Sequence, residues 1–269
     1  FSLPEEFYLD YRMLQAAERL KERKKLRTIM FIGGEETVFM KQAADTVLKE
    51  NFQVIATGRH ADKKAILNSV QRISDSTDVF LIQATQLTRI ELEQLLILLK
   101  PEWLIITSLS PFIDNEEKRQ EELLALSDTF TQVFKHTTSI LVNGDTSELR
   151  KMFKGKTKRV SFFSSPNYKQ PGDSSPHQVQ LFKNKTVFSL PVGATNTVYE
   201  LPFVSAGSPV MVVPLIMLLQ GLSVTPARIK QTIREVKSRT LYAHYTVGGI
   251  TLVMHSGISE DRDLQTFSS

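Results

Sequence analysis

Arg27-Thr28-Ile29-Met30-Phe31-Ile32-Gly33-Gly34-Glu35-Glu36-Thr37-Val38-Phe39-Met40-Lys41-Gln42-Ala43-Ala44-Asp45-Thr46-Val47-Leu48 is the stretch on which the fold turns. An apolar run ends in two glycines, and a helical pattern follows at once. That is the layout of a parallel strand, a tight turn and a helix start, the place where α/β proteins bind phosphates. A working phosphate loop also needs a further glycine, a lysine and a hydroxyl at set positions. Here Glu35 and Glu36 take up the turn instead. The architecture of a nucleotide site is present and its chemistry is not.

Outward from this stretch, strands and helices alternate at βα spacing through residues 28–165. Strands are expected at 28–32, 53–56, 79–82, 103–106 and 139–142. Helices are expected at 37–50, 61–73, 89–99 and 116–134. The runs Val79-Phe80-Leu81-Ile82 and Trp103-Leu104-Ile105-Ile106 are apolar without alternation, as in central parallel strands covered on both faces. The pattern predicts an α/β fold, a mainly parallel open sheet with right-handed crossovers and helices on both faces. Upstream, Glu5 to Lys25 reads as a helix with apolar positions Phe7, Tyr11, Leu14, Ala17 and Leu20, so 1–27 is an N-terminal helix and linker. Downstream, the breaker-rich loop Pro166 to His177 leads to a small β ribbon, 178–182 and 186–191. An apolar helix with an early break or kink at Pro214 is expected over 209–219, then a helix over 226–238. A hairpin about Gly248-Gly249 closes the domain at 257, and 258–269 is a polar tail.

The length of 269 residues suits one large α/β domain, and 41% apolar with 23% charged content is that of a globular protein. No run of about 18 uncharged apolar residues is present, so no membrane-spanning helix is expected in this stretch, nor a signal peptide at its start. With no cysteine, disulfides and thiolate metal sites are excluded, which fits the cytoplasm. The net charge of +4 is scattered in short clusters such as Lys21–Lys25 and Lys154–Arg159, which read as solvated faces rather than a nucleic-acid surface. The chain begins at Phe1, so a further segment or anchor upstream is expected, and membrane contact only through it.

Taken in this order, residues 27–257 resemble the central, ATP-binding domain of the Mur ligases, which join amino acids to cell-wall precursors. Folylpolyglutamate and polyglutamate synthetases share that fold. The family opens with strand, Gly-Thr-x-Gly-Lys-Thr/Ser, helix; the matching run here is Gly33-Gly34-Glu35-Glu36-Thr37-Val38, in which only the first glycine agrees. Glu36 stands at the second glycine, Thr37 at the lysine and Val38 at the magnesium-binding hydroxyl. Gln83 follows the strand whose end carries a magnesium-binding glutamate in the family. The resemblance puts Thr107 at the family's threonine, Ile113 near its histidine and Ser127 near its modified lysine. Val142-Asn143-Gly144-Asp145 keeps most of a Val/Leu-Asn-x-Asp-Asp motif. Ser205-Ala206-Gly207-Ser208-Pro209 lacks the asparagines of the later helix entry, while Gly221-Leu222 and Ser238-Arg239 keep later landmarks.

A carboxylate about 5 Å from a phosphate repels it by about 1–3 kcal/mol at an effective dielectric of 20–80. Glu35 and Glu36 are therefore read as helix-start residues, against the alternative of a bound cation. Asn143 and Asp145 sit at the sheet's carboxyl edge, where a turn and a residual ligand contact are both open readings. No catalytic residue and no metal ligand is assigned, and the histidines carry no ligand spacing. The resemblance, with these substitutions, implies a catalytically inactive domain, without cofactor, that partners a protein in cell-envelope polymer synthesis. Two alternatives stand beside it. One is an ATP- and magnesium-dependent carboxylate–amine ligase completed by a missing domain or subunit. The other is a nucleotide-binding module without hydrolysis.

Overall fold

The computed structural model describes residues 5–21, 23, 25–113, 115–156, 158–192, 195–204, 207–235, 242–247 and 250–255. Six parallel strands form the frame: β1 (Arg27–Ile32), β2 (Val54–Ala56), β3 (Val79–Ala84), β4 (Trp103–Ile106), β5 (Ser139–Asn143) and β6 (Val160–Phe163). Their order is β2-β3-β1-β4-β5-β6. Every residue of β3 and β4 is buried, which is why neither run alternates. β6 and the short helix before it, α6 (Ser147–Phe153), lie within the expected alternating region but are too short to carry a clear period.

Helices cover both faces. α1 (Glu5–Lys21), α3 (Lys63–Gln71), α4 (Arg89–Leu99), α5 (Arg119–Val133) and α6 pack on one face through Ala16, Leu67, Leu96, Phe130 and Phe153. α2 (Glu36–Leu48) and α7 (Ser208–Gly221) pack on the other through Met40, Val47, Val213 and Ile216. The chain thus leaves β1 over one face, moves out to β2, then returns strand by strand over the opposite face. Both directions give right-handed crossovers. Local signals place several ends: Asp62 caps α3 by accepting from the Ala65 N–H at 2.7 Å, and Thr88 with Glu91 forms a capping box on α4. Lys100, in the left-handed conformation, and Pro101 end α4.

α7 is apolar along most of its length because most of it is buried, with Met211, Met217 and Gln220 half-buried. The helix is continuous through Pro214, so a break there is not found; the fully buried Val213, Leu215 and Ile216 pack around the turn where one backbone donor is missing. The β ribbon is a three-stranded antiparallel sheet, β7 (His177–Leu181), β8 (Thr186–Val192) and β9 (Thr195–Leu201). The third strand was not expected. Phe188 and Tyr199 stack at 5.6 Å between ring centres and add this sheet to the α2/α7 core. α8 (Pro226–Glu235) and the hairpin β10 (Tyr242–Val247) and β11 (Ile250–His255) follow. Gly248-Gly249, Ser205-Ala206, Ser238-Arg239 and the tail lie outside the described residues.

Gly221 ends α7 against the indole of Trp103: a Cβ built there would lie 2.2 Å from the ring. Glycine to alanine near a helix end ordinarily gains up to about 1 kcal/mol. Here the clash decides the sign, and Gly221→Ala is expected to destabilise by about 1–3 kcal/mol in urea unfolding, with a changed emission of the single tryptophan. A stabilised variant would contradict this packing.

Candidate functional site

β1 is where the topology switches. Its own connection crosses one face, and those of its neighbours β3 and β4 cross the other, so a crevice opens at their carboxyl ends. Gly33, Gly34, Glu36 and Thr107 meet there, with Gln83 near the end of the neighbouring β3. The approach is close: a Cβ on Gly33 would lie 1.7 Å from the Thr107 hydroxyl, so only glycine fits. The Thr107 N–H donates to the Ile32 carbonyl at 2.9 Å.

Glu36 fills the turn. Its Oε1 accepts from the Gly34 N–H at 3.0 Å and from the Thr107 hydroxyl. The Thr37 N–H is spent on the Gly34 carbonyl (3.1 Å) and the Val38 N–H on the Glu35 carbonyl (3.0 Å). The Thr37 hydroxyl, wholly buried, donates to the Gly34 carbonyl at 2.7 Å. Two donors that a phosphate loop aims outward, the Thr37 and Val38 amides, are here closed into the first helical turn, with a carboxylate on the Gly34 amide. Glu35 does not face the cradle, contrary to the expectation for both carboxylates. It lies at the N-cap position without a side-chain cap, and its oxygens are 3.4 Å from His60 Nδ1 and 3.6 Å from Arg59 Nη2. That leaves one carboxylate in the turn and one in a weak, half-exposed ion cluster.

A lysine is nearby, one helical turn beyond position 37. Lys41 is 4% exposed and gives its ammonium to the carbonyls of Thr57 (2.6 Å) and Gly58 (3.1 Å) at the end of β2. Burial holds its pKa below the ordinary lysine value, against an opposing pull from Asp45. Reasoning from the sequence missed it; the signal was its place in the buried set Thr37, Lys41, Ala44 and Leu48. Gln83 lies within β3, not beyond its end, and is fully buried. Its backbone N–H donates to the Thr57 hydroxyl at 3.2 Å and its Nε2 to Thr85 at 3.3 Å, while its Oε1 has no partner. An uncharged amide suits this place, since a buried glutamate without a cation would be costly.

Asn143 and Asp145 form a turn. Asn143 donates Nδ2 to the Thr107 carbonyl (3.2 Å) and accepts from the Asp145 N–H (3.0 Å); Asp145 accepts from the Ser165 N–H (2.8 Å). Asn143 thus reaches the Thr107 backbone, and Asp145 is turned toward β6. Behind the turn lies an ion pair that sequence reading did not find. Arg150 forks onto Asp173 at 2.6 and 3.2 Å, donates to the Gly144 carbonyl at 3.0 Å and stacks on the Phe162 ring. Asp173, 3% exposed, also accepts from Ser164 and from the Gln170 N–H. A Cβ on Gly144 would lie 2.2 Å from Arg150, which explains the glycine in Asn-Gly-Asp.

The residues at the crevice do not fit magnesium or a nucleotide triphosphate. Val38, in the hydroxyl's place, is buried in the core, and Glu36 holds the amide a phosphate would take. Among the described residues no three histidine or acidic side chains come together as a metal site, and no helix is long and apolar enough to cross a membrane.

No family model matches the sequence, and a search of curated proteins finds no match. Solved structures do match in fold. Similar ones include MurF from Acinetobacter baumannii (TM-score 0.72, 11% identity, covering 95% of this chain and 56% of that one). MurF ligase from Thermotoga maritima in complex with ADP gives TM-score 0.68 at 13% identity, covering 96% and 60%. Folylpolyglutamate synthase from Thermotoga maritima gives 0.63 at 9%, covering 97% and 72%. The chain has the fold of the Mur ligases and folylpolyglutamate synthases, as the resemblance implied, and it spans a little over half the length of the MurF chains.

Burial alone would raise the Asp173 pKa, but the bonds from Arg150, the Gln170 amide and Ser164 outweigh it and hold the carboxyl below its ordinary 3.8. A lowered carboxyl pKa stabilises the fold above the ordinary value, and that stability is lost as pH falls through the native one. Asp173→Asn is expected to cost about 3 kcal/mol near neutral pH, because it strands Arg150. The gap to the parent should narrow below pH 3.8, as followed by urea melts across pH.

Proposed function

We propose that this chain is a Mur-ligase-like domain without ATP chemistry, acting as a structural or regulatory partner in cell-envelope polymer synthesis. The observation that carries the reading is the Glu36 carboxylate on the Gly34 amide and the Thr107 hydroxyl. A phosphate entering the turn would have to displace a charge-assisted pair of hydrogen bonds and then face the displaced carboxylate. No lysine compensates, since Lys41 is committed to two carbonyls. The partner is taken to be a protein and the compartment the cytoplasm. The cell-envelope process comes from the fold likeness, and sites rather than folds carry function.

The ligase alternative needs donors and magnesium ligands from outside this chain, and the MurF chains are longer than this one. The binding-module alternative would use Asn143, whose amide is already held by Thr107 and the Asp145 N–H. Neither is favoured by a specific contact.

The test is calorimetric titration with ATP, ADP and magnesium, beside thermal melts of the same protein. Millimolar Mg-ATP is expected to leave the Tm almost unchanged, because a ligand well below its Kd stabilises by much less than about 1 kcal/mol. A micromolar Kd, or magnesium-dependent phosphate release lost on changing Asn143 or Asp145, would overturn the proposal and favour the ligase.

A further inference from the structure

Basic residues that lie far apart in the chain are set on one edge by the topology. β1, β4, β5 and β6 are consecutive neighbours, and each is entered through basic residues: Arg27 at β1, Lys100 before β4, Lys135 with the neutral His136 before β5, Lys158 and Arg159 before β6. The register keeps these entrances level, with Ile29 opposite Trp103, Trp103 opposite Ser139, and Ile140 opposite Val160. At about 4.8 Å per strand the row is roughly 14 Å long. That is little more than a Debye length, so the charges act together. All six residues are exposed. Lys100 and Lys135 lie near enough to His136 to add to the partial desolvation that lowers its pKa. Arg159 also caps α5, donating to the carbonyls of Phe134 (2.7 Å) and Thr137 (2.8 Å).

Helix dipoles account for part of this, since Lys100 and Lys135 follow the ends of α4 and α5. They do not account for Arg27 or Lys158, which introduce strands. Glu102, half-buried, is the single carboxylate in the stretches 25–28, 100–102, 134–139 and 156–160. On the β2/β3 side Asp75 pairs with Arg23 and Asp78 accepts from the Gln53 N–H. The candidate site, with Glu35 and Glu36, lies at the opposite end of the strands.

We propose that this strand-entry edge docks the protein on an anionic lipid surface, leaving the carboxyl-end crevice facing away. This goes beyond membrane contact through an upstream segment and does not depend on the reading of the crevice. A protein partner is disfavoured because lysine is depleted in protein interfaces and no exposed aromatic anchor sits within the row. A nucleic acid is disfavoured because the row has no aromatic platform for bases, and α4 and α5 turn their C-termini, not their N-termini, toward it.

The test is cosedimentation of the full chain with two kinds of vesicle, phosphatidylcholine alone and phosphatidylcholine with about one third phosphatidylglycerol. Binding is expected only to the anionic vesicles, with loss in about 0.5 M salt. The triple variant Lys100→Gln, Lys135→Gln, Lys158→Gln should bind about 100-fold more weakly. A triple variant of the same charge elsewhere, Lys64→Gln, Lys118→Gln, Lys183→Gln, should lose much less. Circular dichroism melts establish that both are folded, and the three single variants stand in for a triple that is not. Equal binding to neutral vesicles, no binding to anionic ones, or equal losses in the two triples would overturn the proposal. Tighter binding to a single-stranded oligonucleotide than to anionic vesicles would overturn it in favour of nucleic acid.

Discussion

The contact on which the rest depends is the one between a missing side chain and a hydroxyl. Thr107 occupies the space where Gly33 would carry a Cβ, and this lets β4 lie against the turn after β1. The same hydroxyl meets Glu36, the first residue of α2, so one polar atom ties two strand ends to a helix start. In a parallel sheet, the carboxyl ends are where backbone donors and acceptors run out of strand partners. A phosphate loop leaves those donors for a ligand. This chain satisfies those of Gly34, Thr37 and Val38 itself.

The crevice is bordered by polar groups that are mostly bound to one another. Lys41 holds the carbonyls after β2, Asn143 holds the carbonyl after β4, and Arg150 holds the Asn143-Gly144-Asp145 turn against Asp173. A buried charge persists only where it is paired or hydrogen-bonded, so each cluster is also a constraint on the loops around it. Loops tied in this way make a rigid rim around a turn that offers little to a ligand. The unpartnered Gln83 oxygen is the exception among these groups.

Much of the fold was legible because periodicity reports burial. Uninterrupted apolar runs marked β3 and β4, and the double glycine marked the turn between β1 and α2. β9 escaped because its alternation is carried by Thr197, Tyr199 and Leu201, and only the stacking of Tyr199 on Phe188 makes that face apolar. Pro214 argued for a broken helix. The burial of most of α7 overrode it, since the packing of Val213, Leu215 and Ile216 outweighs one absent hydrogen bond.

By itself the sequence determined the layer order, the place of the turn after β1, and the absence of a lysine at position 37 and of a hydroxyl at position 38, because these follow from local pattern and residue type. Which of two adjacent carboxylates enters the turn was decided only by the tertiary structure. Thr107, 71 residues away, offers its hydroxyl to Glu36, while Arg59 and His60 draw Glu35 outward. The pairing of Arg150 with Asp173 and the row of cations across four strand entrances belong to the same class. Partners brought together by crossovers are set by strand order and register. No window of neighbouring residues contains that information.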